Sequence, residues 1–192
     1  TILGFVAIVA VGWLLKRLGI LRAEDSRPIN AIIIYAGLPA MIFRAVYPAR
    51  LDPSLLEVAL VAWGVFVASA LVAWLITRLL RLPRPLAGGF IIAAALGNTG
   101  YIGYPVSAAL LGDEGLVRAI FYDVFGTVAA LLFVGLLVAQ HMGEHDEPAI
   151  NPFREALMFP AVVALFVALA VRQFPVEIPT LVSNGLESLA SL

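Results

Sequence analysis

This chain of 192 residues has no cysteine, a single lysine and few charged residues of either sign. Without cysteine it forms neither disulfides nor thiolate metal sites. Charged residues make up 13% of the sequence and the net charge is −1, so the chain lacks the basic surface that nucleic-acid binding requires. Its residues are 62% hydrophobic and the mean hydropathy is +1.01, which is typical of an integral membrane protein.

The apolar residues fall into six long stretches separated by short connections rich in proline, glycine and charge. The stretches lie at about 1–20, 29–47, 55–80, 86–112, 116–140 and 154–174, each long enough to predict a transmembrane helix, and a seventh begins near Pro179. Because Lys16 and Arg17 come after the apolar run that opens the first stretch and not before it, we expect a retained membrane helix there and not a secretory signal. The sequence therefore predicts an all-α integral membrane protein.

Basic residues are distributed unevenly between the two sides of the predicted bundle. The connections after the first, third and fifth stretches hold eight arginines or lysines, and the other connections hold four. Since cytoplasmic connections carry an excess of basic residues, we predict a multi-pass protein of the cell membrane with its N-terminus outside. Trp13, Trp63 and Trp74 are interpreted as lipid or interface anchors.

The fourth apolar stretch is interrupted at residues 97–105, which contain three glycines and a proline. The twelve residues before it rise about 18 Å as a helix, so the interruption lies inside a hydrocarbon layer about 30 Å thick. Its free backbone groups need partners that lipid does not supply. We predict two half-helices, the second beginning at Pro105 with its positive dipole end facing an anion; the plainer alternative is a kinked helix with an asparagine cap. The predicted substrate-binding residues are Asn98, Thr99, Tyr101, Tyr104 and Pro105.

One acidic residue, Asp123, lies deep inside a predicted span, where an unpaired carboxylate is costly. We expect it to bind Na⁺ or a proton, or to hold the broken helix by hydrogen bonds to exposed amides. A structural acid paired within the bundle is an equally good interpretation, although Arg118, five residues earlier, is a poorly aimed partner. In the second stretch, Asn30 and Pro39 are predicted to form a hinge or kink.

Two histidines and three acids form the one cluster in the sequence with the chemistry of a metal site: His141, Glu144, His145, Asp146 and Glu147. The glycine and proline within and after this cluster favour a solvated cytoplasmic loop. No metal and no cofactor is therefore predicted.

Several motifs, in order along the chain, resemble the auxin efflux carrier (PIN-like) superfamily. Asn30 together with residues 35–43 (YAGLPAMIF) resembles the N…LPA…F pattern of that family's second helix. Residues 98–105 (NTGYIGYP) resemble its broken fourth helix, residues 121–123 (FYD) its fifth, and residues 151–152 (NP) the start of its sixth. Each motif is weak alone, but their order along the whole chain is specific.

The resemblance implies the fold of the bile acid sodium symporters, with ten helices in two inverted repeats of five. It implies scaffold helices at 1–53 and transport-domain helices, including the broken one, at 54–142. A cytoplasmic loop, a sixth helix and the start of a seventh follow at 143–192, so the second broken helix is expected beyond these residues. A homodimer through the scaffold helices is also implied.

The predicted function is a secondary carrier for small organic anions, such as dicarboxylates or auxin-like weak acids. We expect elevator-type alternating access within a lipid bilayer, with Na⁺ or H⁺ coupling left open and no nucleic-acid partner. Two alternatives stay open: an intramembrane enzyme that uses Asp123 and the loop histidines, and a non-transporting packing or sensor protein. The enzyme is disfavoured because the sequence shows no paired acid, Ser–His pair or metal triad, so we predict that the chain is not an enzyme.

Overall fold

The structure, a computed structural model, describes residues 2–142, 151–174 and 178–190, and these residues form helices and no strands. The helices are α1 (Ile2–Arg17), α2 (Ser26–Val46), α3 (Ser54–Leu79), α4 (Arg84–Ala95), α5 (Tyr104–Tyr122), α6 (Leu136–Met142), α7 (Pro152–Met158), α8 (Pro160–Val171) and α9 (Thr180–Ala190). Helical winding continues from α5 to α6. The all-α class predicted from the sequence is confirmed for the described residues.

Three helical stretches of the described chain are long and apolar enough to cross a membrane: Ser26–Val46, Ser54–Leu79 and Arg84–Met142. The last has 59 residues and contains two predicted spans, which meet at Gly112 (φ 68°). α1 has 16 residues and rises about 24 Å, which is less than the hydrocarbon thickness of about 30 Å. The count of six spans and the inverted repeat therefore stay predictions.

Two short π-helical turns each lie just before a proline. Ile33–Gly37 precedes Pro39 within α2, and Thr99–Gly103 precedes Pro105 at the start of α5. Proline has no N–H and its ring meets the carbonyl four residues earlier, so the preceding turn widens. At Pro39, where the sequence predicts a hinge or kink, the structure has a widened turn inside a helix that continues to Val46.

The core lies between α2, the helix that follows Gly112, and α8. Its fully or almost fully buried side chains include Ile42, Val46, Val117, Ile120, Phe121, Val124, Leu165 and Ala168. α2 packs against α8 and α9, whereas α3 packs against α4, α5 and residues 123–128. α1 is exposed along most of its length. The division into scaffold and transport domains stays a prediction.

Residues 123–128 pack closely against α3 at Gly126. A Cβ added at Gly126 would lie 2.2 Å from the Cβ of Ala62, so only glycine fits there. One residue away, Trp63 donates its indole Nε1–H to the carbonyl of Phe125 at 2.9 Å. Trp63, interpreted from the sequence as an anchor, therefore ties two helices together.

α3 ends in a Schellman turn whose left-handed residue is Arg81, with φ at 52°. The amide of Leu82 donates to the carbonyl of Thr77 at 3.0 Å, and the amide of Arg81 donates to the carbonyl of Arg78 at 3.2 Å. Glycine usually occupies this position, and a residue with a side chain costs about 1–2 kcal/mol there. Arg81 is the single non-glycine residue with a positive φ in the described ranges.

Candidate functional site

The helical backbone is broken between α4 and α5. Leu96 is extended (φ −105°, ψ 112°) and Asn98 is non-helical (φ −81°, ψ 73°), and winding resumes at Thr99. Asn98 caps the new turn, because its Oδ1 accepts a hydrogen bond from the amide of Tyr101 at 3.1 Å and its carbonyl accepts one from Gly103 at 3.3 Å. Helical winding thus resumes six residues earlier than predicted, since the cap and the widened turn accommodate Pro105.

Asp123 lies buried beside this turn, with 6% of its surface exposed. One carboxylate oxygen accepts a hydrogen bond from the hydroxyl of Thr99, and the other accepts one from the hydroxyl of Tyr104 at 2.6 Å. We call these three side chains the Asp123 clamp. In a straight helix residues 104 and 123 would lie about 28 Å apart, so the clamp depends on the reversal of the chain at Gly112.

The partners of the carboxylate differ from those expected. Asp123 accepts from two hydroxyls and not from backbone amides, whereas the amides of Tyr101 and Gly103 are bound by Asn98. Arg118 does not pair with it either, since its guanidinium contacts Glu114 at 2.6 Å, one turn earlier on the same helix.

The turn Thr99–Gly103, which leads into α5, presents two different faces. On the buried face, a Cβ added at Gly100 would lie 3.8 Å from Asp123 Oδ2, so the carboxylate lies against the backbone at the positive end of the helix. On the other face, Asn98 and Tyr101 are exposed, Tyr101 by 45%. The turn therefore combines a buried acid with an exposed carboxamide, an exposed phenol and amides at a helix start.

The structure brings together most of the residues predicted as a site, but not all of them. Asn98, Thr99, Tyr101, Tyr104 and Asp123 surround one turn, and Pro105 is half-buried next to Tyr104.

The predicted hinge residues of α2 are not part of this group. Asn30 is exposed and Pro39 is half-buried, and neither makes a hydrogen bond to the clamp in the described structure.

The predicted histidine and acid cluster is described only at His141, whose Nδ1 lies 2.9 Å from the carbonyl of Leu137 on its own helix. Residues 144–147 lie outside the described ranges. Within those ranges, no group of three histidine or acidic residues is arranged to hold a metal ion.

A second polar region lies at the end of the bundle where α2 ends and α3 begins. A cavity of about 750 Å³ is lined there by Arg44, Arg50, Asp52, Asp113 and Arg118, among others. No sequence motif indicated that these residues come together, although their connections were predicted on one side of the membrane. No residue of the break lines this cavity.

Arg172, just after α8, has a role that no sequence motif indicated. Its guanidinium donates to the carbonyls of Val46 at 3.3 Å and Ala49 at 2.8 Å. It therefore satisfies the carbonyls at the end of α2, more than 120 residues earlier in the chain.

Comparisons with known proteins agree with the fold. A family profile described as membrane transport protein matches residues 1–192. The chain is 35% identical over 162 residues to an uncharacterized transporter of Methanothermobacter thermautotrophicus, covering 83% of this chain and 52% of the relative. It is 30% identical over 191 residues to an uncharacterized transporter of Methanocaldococcus jannaschii, covering 96% of this chain and 61% of the relative. No solved structure matches.

The chain thus spans between half and two thirds of the length of these two curated relatives. Its long apolar helices and its family profile indicate a multi-pass membrane protein. The profile covers every residue, so the resemblance to the auxin efflux carrier superfamily drawn from the motifs is confirmed. The chain belongs to the membrane transport protein family, which is the family of the auxin efflux carriers.

Proposed function

We propose that this chain forms part of a secondary carrier for small organic anions, such as dicarboxylates or auxin-like weak acids. The proposal rests on the break at residues 96–98, which interrupts an apolar helical stretch of 59 residues and carries polar groups on both faces. Discontinuous helices of this kind form the substrate sites of many secondary transporters. Family membership supports membrane transport, and both relatives are named as transporters.

The turn Thr99–Gly103, where helical winding resumes before α5, offers the chemistry that a carboxylate needs. The first amides of a helix lack partners within it, and Asn98 satisfies the amide of Tyr101. The amides of Thr99 and Gly100 remain at the positive end of the helix dipole, where an anion is favoured. The exposed ring of Tyr101 adds a flat surface, which suits an aromatic acid.

Asp123 affects anion binding because its carboxylate lies against the same turn. Ionised, it repels a carboxylate bound on the exposed face, so a proton or Na⁺ at Asp123 would favour the anion. Alternatively Asp123 only braces the break, and its hydrogen bonds to Thr99 and Tyr104 support this second role, which we favour. Coupling to Na⁺ or H⁺ stays part of the proposal.

The family resemblance supports elevator-type movement of residues 54–142 against the scaffold helices, in a homodimer formed by those helices. It also supports a location in the cell membrane with the N-terminus outside. The enzyme and sensor alternatives gain no such support, because both named relatives are transporters.

Binding of succinate and of indole-3-acetate to the full-length protein tests the anion site. We expect Asn98→Ala to weaken binding by about 1–3 kcal/mol, because the cap and one hydrogen-bond donor to the ligand are lost. Calorimetry on detergent-solubilised protein measures this, with Asn184→Ala, an exposed asparagine of α9, as the control. If a folded Asn98→Ala protein binds these anions with unchanged affinity, Asn98 only caps the helix and does not bind the substrate.

Transport assays in proteoliposomes test the role of Asp123. If Asp123 braces the break, Asp123→Asn should lower the melting temperature while the residual transport keeps its dependence on pH and Na⁺. If Asp123 carries the coupling ion, the same variant should transport without that dependence. A variant with normal stability and no ion dependence would overturn the bracing role.

A further inference from the structure

An apolar groove of about 320 Å³ lies between α3, α4 and the last turns of the helix that ends in α6. It is lined by Phe66 and Trp74 of α3, by Leu96 after α4, and by Val134 and Met142, and its lining is almost entirely apolar. Along α3 it extends from residue 66 to residue 74, a rise of about 12 Å. The groove therefore runs from the break toward the end of α3 that is predicted to be cytoplasmic.

Three exposed arginines lie beyond Trp74 where α3 ends and α4 begins: Arg78, Arg81 and Arg84. The guanidinium of Arg78 lies 5.3 Å from the centroid of the Trp74 ring, and Trp74 lines the groove. None of the three arginines forms an ion pair in the described part of the chain. Their positive charge is thus available to a ligand at the membrane surface.

The backbone at Arg81 is an independent observation. Arg81 occupies the left-handed position of the Schellman turn, where glycine would fit without strain. A strained residue with an exposed charged side chain favours a role for that side chain outside the fold.

We propose that this groove and the three arginines form a binding site for an anionic phospholipid. The phosphate contacts Arg78, Arg81 and Arg84, and one acyl chain lies in the groove against Trp74 and reaches Leu96. Charge complementarity selects the headgroup, since basic residues next to a span attract anionic lipid. The apolar lining selects an acyl chain over a soluble phosphate, and contact with Leu96 links lipid binding to the break.

Lipid binding to the purified full-length protein in neutral detergent tests the proposal. Native mass spectrometry and thermal melting are measured with phosphatidylglycerol, with phosphatidylcholine of the same acyl chains, and with glycerol phosphate. We expect retention of phosphatidylglycerol over phosphatidylcholine and no effect of glycerol phosphate. Equal retention of the two lipids, or stabilisation by glycerol phosphate alone, would overturn the proposal.

Arg81→Gly separates the fold from the site. Because glycine relieves the strained turn, the lipid-free variant should melt at the same temperature as the wild type or higher. Its affinity for phosphatidylglycerol should fall about fivefold, the effect of one basic residue at the membrane surface. The matched control is Arg17→Gln, which removes a guanidinium 5.2 Å from the Trp13 ring on exposed α1. An equal loss in both variants would show non-specific charge attraction and refute the site.

Ala70→Leu tests the groove itself, because Ala70 lines it and is half-buried. The larger side chain should lower phosphatidylglycerol binding several-fold, whereas Ala68→Leu, exposed and two residues away, should not. If another protein segment fills the groove instead, Ala70→Leu should lower the lipid-free melting temperature and the wild type should retain no lipid. That result would overturn the proposal.

Discussion

Tyr104→Phe removes one hydrogen bond of the Asp123 clamp and very little else. Tyr104 is fully buried, and its hydroxyl donates to Asp123 Oδ2 at 2.6 Å. Phenylalanine fills the same space, so no cavity contributes to the effect. Hydrogen bonds to charged groups contribute about 1.5–3 kcal/mol, and the carboxylate oxygen left behind is buried.

We therefore expect Tyr104→Phe to lower the free energy of unfolding by about 2 kcal/mol. For a chain of this size that corresponds to a fall of about 4–8 °C in melting temperature. Thermal melting of the purified protein, followed by tryptophan fluorescence, measures it. The matched control is Tyr122→Phe, because Tyr122 directly precedes Asp123 and, in the described structure, its hydroxyl is not one of the two that hydrogen-bond to the carboxylate.

A double-mutant cycle with Asp123→Asn shows whether the loss passes through the carboxylate. If it does, Tyr104→Phe should cost clearly less in the Asp123→Asn background, with a coupling energy of about 1–2 kcal/mol. Equal costs in both backgrounds, or a Tyr104→Phe protein that melts with the wild type, would refute the clamp.

Two further predictions concern close contacts between helices. Gly126→Ala should destabilise the protein by about 1–3 kcal/mol, because its Cβ would lie 2.2 Å from the Cβ of Ala62. The control is Gly64→Ala on the same helix as Ala62, where an added Cβ meets nothing within 4 Å. It should leave the stability unchanged or raise it. Equal shifts in melting temperature for Gly126→Ala and Gly64→Ala would contradict this packing. Arg172→Met should lower stability by about 1.5–3 kcal/mol, because the carbonyls at the end of α2 lose a charged donor. Urea-induced unfolding in mixed micelles measures this loss. If the Arg172→Met variant unfolds at the same urea concentration as the wild type, solvent replaces the guanidinium and the prediction is wrong.

The sequence determined the class of the protein and the position of its break. Long apolar stretches lead to helices whatever their neighbours, because a helix satisfies its backbone polar groups within the segment. The sequence likewise placed the break next to Gly97, although helical winding resumes at Thr99 and continues through Pro105. The family was indicated by several motifs taken together in their order along the chain, since each motif is weak alone.

Tertiary structure alone decided what the polar side chains do. Thr99 and Tyr104 were predicted to bind substrate, but their hydroxyls contact Asp123, which leaves Asn98 and Tyr101 on the open face. Local propensity carries no information about a contact made across 19 or 24 residues, because it depends on the direction in which the chain returns after Gly112. The hydrogen bonds of Arg172 to the end of α2 cross more than 120 residues and depend likewise on how the helices pack. Helix formation is local, whereas the pairing of a buried charge is set by whichever donors the folded chain brings within hydrogen-bond distance.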